Sequence, residues 1–256
     1  MVYSLLSTDK GQCGTTTAAS MVALSLGLYK TMDNVLLTQT DMSSTTLAKY
    51  FGRDEARTDY SKNLAQICAM LGQNSMGRIE DVATYMSQIR SNVYLYSSSE
   101  QNRDEEEVVD LFTTFIQKMP YQHIVLDVNT DTGSQLTKKA IELSDEIIIV
   151  INQNKCLEEK TKKLLSKFSN KSVSVMINLY DASIGRSIVT SKLGVRSGKV
   201  LTLSYSPYIR RLGNFGRLEE VFEMAKNKNG DLLDISAQMQ FVSRTFAANK
   251  SKGKRG

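Results

Sequence analysis

Short apolar runs alternate with longer segments of helical period along most of the chain. The runs are "VYSLL" (2–6), "NVLLT" (34–38), "NVYLY" (92–96), "HIVLD" (123–127), "EIIIVI" (146–151), "SVSVMIN" (172–178) and "KVLTLS" (199–204). Between them, helices are predicted at 15–28, 79–90, 104–118, 134–143, 156–168, 183–193 and 216–226, with a closing helix at 232–247. Nearly continuous apolar strands separated by helices imply an α/β fold: a mostly parallel central sheet with helices on both faces. Asp104, followed by Glu105, Glu106 and Glu107, reads as an N-cap with an acidic first turn. The closing helix places Ile235, Met239, Val242 and Phe246 on one stripe. One domain over 1–248 and a basic, flexible tail over 249–256 are expected.

Composition narrows the class. Of 256 residues, 41% are hydrophobic, enough for a substantial core, and two prolines with 15 glycines exclude collagen-like and disordered classes. Cys13, Cys68 and Cys156 are odd in number and match no zinc or disulfide spacing, which suits a reducing interior. His123 is the one histidine and leaves little room for histidine-based catalysis or metal binding. The formal charge is +5, but Lys250, Lys252, Lys254 and Arg255 supply four of those charges, so the body is near neutral. No leader pattern and no apolar run of membrane-spanning length is visible, so a cytoplasmic location is expected.

The segment "STDKGQCGTTTAAS" (7–20) carries the candidate chemistry. A strand, a glycine loop and a helix starting on threonines form an anion site, because backbone N–H groups and the helix dipole face the ligand there. Thr15, however, stands where G-x-x-x-x-G-K-[ST] has its lysine.

With Lys10 ahead of Gly11, the loop resembles that of the deviant Walker A family of ParA, MinD and the pilus-associated TadZ/CpaE proteins, which reads K-G-G-x-G-K-T-T. Here Lys10-Gly11-Gln12-Cys13-Gly14-Thr15-Thr16-Thr17 keeps the early lysine, two glycines and both threonines, and loses the second glycine and second lysine. The family's D-x-D strand end is matched by "VLLTQTD", with Gln39 for the first aspartate and Asp41 at the second. "QHIVLD" resembles the Walker B strand and ends on Asp127; "SVMINLYD" places Asn178 where relatives contact adenine. "SYSPYIRRLGNFG" resembles a further base-proximal segment around Pro207 and Asn214. Taken singly, Asp127 also suits a cap, Asn178 a turn and Lys10 an exposed surface. The order and spacing of the set, over residues 2–226, carry the resemblance.

The resemblance implies a P-loop fold that binds ATP and Mg²⁺. Gly11, Gln12, Cys13, Gly14, Thr15, Thr16 and Thr17 would cradle phosphate, with Asn178 and Pro207 near the base. Thr16, Asp41 and Asp127 would hold Mg²⁺, Asp41 would also help position the attacking water, and Lys10 would reach the partner's nucleotide across a homodimer. Without the loop lysine, hydrolysis should be weak or lost; a unit charge pair at 4 Å is worth roughly 4 kcal/mol at an effective dielectric near 20. Gln12 would add about 1–2 kcal/mol of strain if its position were left-handed.

Two functions remain open. One is a dimerising switch that positions DNA or a secretion or pilus machine through an adaptor or cargo protein. The other is a constitutively dimeric, TadZ-type scaffold without turnover. Arg186, Lys192, Arg196, Lys199, Arg210 and Arg211 are candidate contacts to nonspecific DNA. A membrane surface bound through the closing helix is the lesser alternative, because that stripe also suits packing.

Overall fold

The apolar runs fold onto one another as strands of an eight-stranded sheet in the order β3-β4-β2-β5-β1-β6-β7-β8. The structure, a computed structural model, describes residues 1–9, 11–42, 44–53, 64–73, 79–97, 104–154, 158–227 and 233–250. The strands are β1 (Val2–Ser7), β2 (Val35–Gln39), β3 (Ser87–Arg90), β4 (Val93–Leu95), β5 (His123–Asp127), β6 (Glu146–Ile151), β7 (Val173–Tyr180) and β8 (Val200–Ser204). Every pairing is parallel except that of edge strand β3 with β4.

The first half of the chain contributes helices α1 (Thr15–Tyr29), α2 (Thr46–Tyr50), α3 (Leu64–Gln73), α4 (Ile79–Ala83) and α5 (Glu105–Lys118). The second half contributes α6 (Gln135–Leu143), α7 (Glu158–Lys167), α8 (Arg186–Leu193), α9 (Pro207–Asn214), α10 (Glu220–Lys226) and α11 (Leu233–Lys250). Side-chain alternation sorts β6 between two cores: Ile148 and Val150 face one, Ile147, Ile149 and Ile151 the other. The first core holds α1, α2 and α9 to α11; the second holds α3 to α6 and α8. Burial on both faces is why these strands read as unbroken apolar runs.

Several expectations hold at the residue level. The Asp104 carboxylate accepts from the Glu106 N–H at 3.0 Å and caps α5. Ile235, Met239, Val242 and Phe246 are all buried in the first core, so the stripe of α11 packs against the domain. Among the described residues, no helix is long and apolar enough to cross a membrane. Residues 251–256 of the expected tail, and Cys156, lie outside the described residues.

The expected helix at 79–90 is corrected. It ends as the five-residue α4, and Ser87–Arg90 becomes β3, antiparallel to β4. The spacing of Ile79, Val82, Met86 and Ile89 suits a helix, but β4 offers an open strand edge whose backbone groups bond Ser87–Arg90 instead. Three further helices, α2, α3 and α9, were not expected. For α9 a start signal was present: Ser206 caps it, accepting from the Ile209 N–H at 3.3 Å, and Pro207 occupies the first turn.

Candidate functional site

β1 lies between β5 and β6, and the chain leaves β1 toward β2 on one side but leaves β6 toward β7 on the other. That makes the carboxyl end of β1 a topological switch point, where loops diverge and leave a crevice. The loops after β1, β2, β5 and β7 meet there, and they carry most of the expected site residues.

The loop after β1 turns on Gly11 (φ +77°) and Gly14 (φ +65°), and Gly14 is the N-cap of α1. No side chain caps this helix and its first turn carries no acid. The N–H groups of Thr15, Thr16 and Thr17 precede the first intrahelical bond, Ala18 N–H to the Gly14 carbonyl. They therefore converge on the crevice as anion donors. Cys13 turns its side chain into the core, fully buried, so that it offers the loop's ligand only backbone; burial also pushes its thiol pKa up.

Gln12 has no left-handed backbone, so the strain expected there is absent. Leu179 is the one non-glycine described residue with positive φ, at 54°. It sits in an irregularity of the β7–β8 pairing, at a cost of about 1–2 kcal/mol. That kink accompanies the inward turn of Asn178, whose amide donates to the Cys13 carbonyl at 2.8 Å and the Gly14 carbonyl at 3.3 Å. On the loop's other flank, the Asn152 amide donates to the Gln12 carbonyl at 3.3 Å. Lys160 of α7 pairs with Asp9 at 2.6 Å. Lys10 lies outside the described residues.

Two cavities open on either side of Gly14. The first, about 300 Å³, is lined by Gly11, Gly14, Thr15, Thr16, Asp41 and Asp127, with Gln39, Ser44, Thr46, Tyr50 and residues 128–130. The second, about 120 Å³, is lined by Thr17, Asn178, Leu179, Ile209, Arg210 and Asn214 among others, and again by Gly14 and Tyr50. Pro207 does not line this cavity; it is exposed at the start of α9, and its neighbours Ser206 and Ile209 form the wall. A third, apolar cavity of about 210 Å³ lies between α7 and α8; of the expected residues only Lys192, a candidate DNA contact, lines it.

At the floor of the larger cavity, the Thr16 hydroxyl stands beside the Asp127 carboxylate and favours its charged form. Burial pushes the Asp127 carboxyl up to about 6; the Thr16 hydroxyl works against this shift and the nearby negative charge of Asp41 adds to it. Thr40 ties the two carboxylate-bearing loops: its N–H donates to the Asp127 carbonyl at 3.0 Å and its hydroxyl accepts from the Asn129 N–H at 2.9 Å. Gln39, in the place of the family's first aspartate, is buried; its amide donates to the Asp41 carbonyl at 2.8 Å and to the Ser44 carbonyl. It braces the backbone of the Asp41 loop and supplies no charge.

These residues fit a Mg²⁺–nucleotide group. Asp41, Asp127 and Thr16 offer hard oxygen donors, and Mg²⁺ needs few protein ligands because it keeps several waters. A divalent cation would also offset the burial cost that keeps the Asp127 carboxyl raised, and the smaller contribution of Asp41. The hydroxyls of Ser44 and Thr46 and the ring of Tyr50 were missed in the sequence; the polar run "MSSTT" after the β2 strand was the available signal.

The candidate DNA contacts divide. Lys199 is committed to buried Glu146, at 2.9 and 3.1 Å, where Ser172 and Ser174 also donate. This cluster lies at the end of β6 away from the crevice. The Arg186 guanidinium donates to the Ser197 carbonyl and covers the Phe241 ring at 5.5 Å. Lys192, Arg196, Arg210 and Arg211 are exposed.

No protein-family model matches the sequence, and no curated protein matches it. Solved structures do: MinD and ParA-family ATPases share this fold. The septum site-determining protein MinD from Pyrococcus horikoshii, complexed with Mg-ADP, is similar at 18% identity and a TM-score of 0.66, over 100% of this chain and 98% of that one. MinD in the MinC:MinD complex of Aquifex aeolicus gives 15% and 0.67, over 96% and 95%. A plasmid partition protein from Borrelia burgdorferi bound to AMPPNP gives 17% and 0.60, over 92% and 98%.

Proposed function

We propose that this chain is an ATP-binding, dimerising switch of the MinD/ParA kind that positions or partitions cargo, with hydrolysis weak or lost. The observation that carries the reading is the pair of adjoining cavities at the switch point. One combines open helix-start N–H groups with Thr16, Asp41 and Asp127, and the other is walled by side chains from β7, β8 and α9. Polyanion donors beside a partly apolar slot suit a nucleoside polyphosphate. The Mg-ADP and AMPPNP complexes of the similar proteins support that choice.

In this reading the Thr15, Thr16 and Thr17 N–H groups bind phosphate oxygens, and the Thr15 hydroxyl donates without adding charge. Thr16, Asp41 and Asp127 would hold Mg²⁺, which supplies charge neutralisation at the phosphates when bound. Asn178 shapes the loop through its two bonds and presents its side chain to the base cavity. Lys10 acts in trans, supplying from a second copy part of the charge missing at Thr15. Coupling of this kind is reciprocal: nucleotide strengthens the dimer as much as the dimer strengthens nucleotide binding.

The second reading, a constitutive TadZ-type dimer without turnover, is favoured by two observations. Thr15 carries no charge, and Gln39 is bound to the backbone where an aspartate would face the site. In either reading cargo arrives through an adaptor protein or through DNA held by exposed Lys192, Arg196, Arg210 and Arg211, in the cytoplasm.

Calorimetry with millimolar Mg-ATP, joined to sedimentation velocity with and without nucleotide, tests the proposal. Binding heat with an ATP-dependent rise in dimer is the expected result. A dimer that forms equally with and without ATP selects the scaffold, a chain monomeric in both conditions overturns dimerisation, and the absence of any heat or thermal shift overturns nucleotide binding. Lys10→Ala should weaken ATP affinity and dimerisation together.

A further inference from the structure

We propose that Tyr50 is a nucleotide-contacting residue whose phenol O–H donates to the sugar, or to the first phosphate, at the junction of the two cavities. Only Gly14 and Tyr50 border both cavities among the described residues, and of these only Tyr50 has a side chain. A ligand with a planar base in one cavity and a phosphate chain in the other must pass between them. What connects the two parts of a nucleotide is the sugar, rich in hydroxyl and ester oxygens.

The side chain suits that position. Two buried or half-buried tyrosine hydroxyls are engaged within the protein, Tyr3 with His123 at 3.2 Å and Tyr29 with Ser236 at 3.1 Å; Tyr121, whose hydroxyl has no partner, is shut in the second core, away from both cavities. The Tyr50 hydroxyl has no bond to another described residue. Its ring is partly buried against the first core and is 4.0 Å from where a Cβ on Gly213 of α9 would stand. The phenol is therefore a donor without an internal acceptor, on a ring whose position is already set.

The backbone that carries the ring is held from both sides. The Leu218 N–H donates to the Tyr50 carbonyl at 3.1 Å. Two residues on, Gly52 (φ +59°) meets Gly216 (φ +65°) so closely that a Cβ on Gly52 would stand 2.7 Å from the Gly216 carbonyl oxygen. α2 is thereby fastened to the α9–α10 corner, which walls the base cavity, while its other end continues from Asp41, Ser44 and Thr46 in the phosphate cavity. Such preorganisation lowers the ordering cost of a ligand contact. It also makes Tyr50 the point at which the Asp41 loop and the base wall grip the same ligand.

The proposal rests on the nucleotide-binding reading, and the experiment separates the two. The full chain is titrated with Mg-ATP by calorimetry as wild type and as Tyr50→Phe, and both are melted without nucleotide. Tyr50→Phe keeps the ring and its packing, so the ligand-free melting temperature should not change, while ATP affinity should fall about five- to tenfold. Tyr50→Ala, which removes the wall as well, should lose more. Equal affinity in wild type and Tyr50→Phe overturns the inference alone and leaves Tyr50 a packing residue. No ATP binding by wild type overturns both readings.

Discussion

Asn178 and Gly14 are fitted to each other: the asparagine amide nitrogen would lie 2.6 Å from a Cβ on the glycine, and it donates to the Gly14 carbonyl at 3.3 Å. The same amide donates to the Cys13 carbonyl at 2.8 Å. Asn178→Ala would leave these acceptors short of a donor beneath the loop, at a cost of about 1–3 kcal/mol. Gly14→Ala faces both the left-handed backbone and the close contact, so it should cost about 2 kcal/mol or more. Urea denaturation of the nucleotide-free chain reads both. Wild-type stability in Asn178→Ala would show that the amide serves only the ligand.

Asp127 makes stability depend on pH in a particular direction. Its folded carboxyl titrates at about 6, above the unfolded aspartate value of about 3.9. The folded chain thus holds this proton more tightly, and the resulting stability is present below the unfolded value and is lost as pH rises through the folded one. Asp127→Asn should melt above wild type at pH 7.5 in the absence of Mg²⁺, with the gap narrowing toward pH 5. Parallel pH profiles for the two proteins would show that the carboxyl is not held up.

Lys199 is a stabilising partner of Glu146 before it is a candidate DNA contact. Glu146 is 1% exposed, so Lys199→Met removes the cation beside a buried carboxylate and leaves it to neutral donors such as Ser172 and Ser174, and breaking such a pair costs roughly 3 kcal/mol. Arg196→Ala, at an exposed position nearby, should stay within about 0.5 kcal/mol of wild type. Denaturant midpoints of both variants test the contrast. Equal, small effects would return Lys199 to the set of free surface cations.

Thr15→Lys should restore the charge that the loop lacks. Thr15 lines the phosphate cavity, and a cation there should raise Mg-ATP affinity about tenfold or more and accelerate phosphate release. Unchanged affinity in Thr15→Lys, measured on a chain whose wild type binds ATP, would mean that charge at this position does not limit binding.

The fold class was legible because its signals are local. A strand buried on both faces must be apolar at nearly every position, so "EIIIVI" and "HIVLD" announce themselves without reference to any partner. The glycine loop followed by threonines was legible for the same reason, since a helix start needs no distant residue to aim its N–H groups. β3 was not legible, because Ser87–Arg90 is a strand only through the edge that β4 presents to it. The fate of Lys199 was hidden likewise: it pairs with a glutamate 53 residues earlier in the chain, and no nearby residue predicts that.

By itself, the sequence determined the alternation of strands and helices, the loop that faces the crevice, and the placing of Asp127 at a strand end. These follow from periodicity and from the side of the sheet on which a parallel strand must finish. Only the tertiary structure decided that Asn178 reaches the loop from 165 positions away, that Gln39 turns onto the backbone of the Asp41 loop, and that Tyr50 stands between two cavities. Those outcomes depend on strand order and on close backbone contacts such as Gly52 with Gly216, which bring together side chains that local sequence patterns cannot relate.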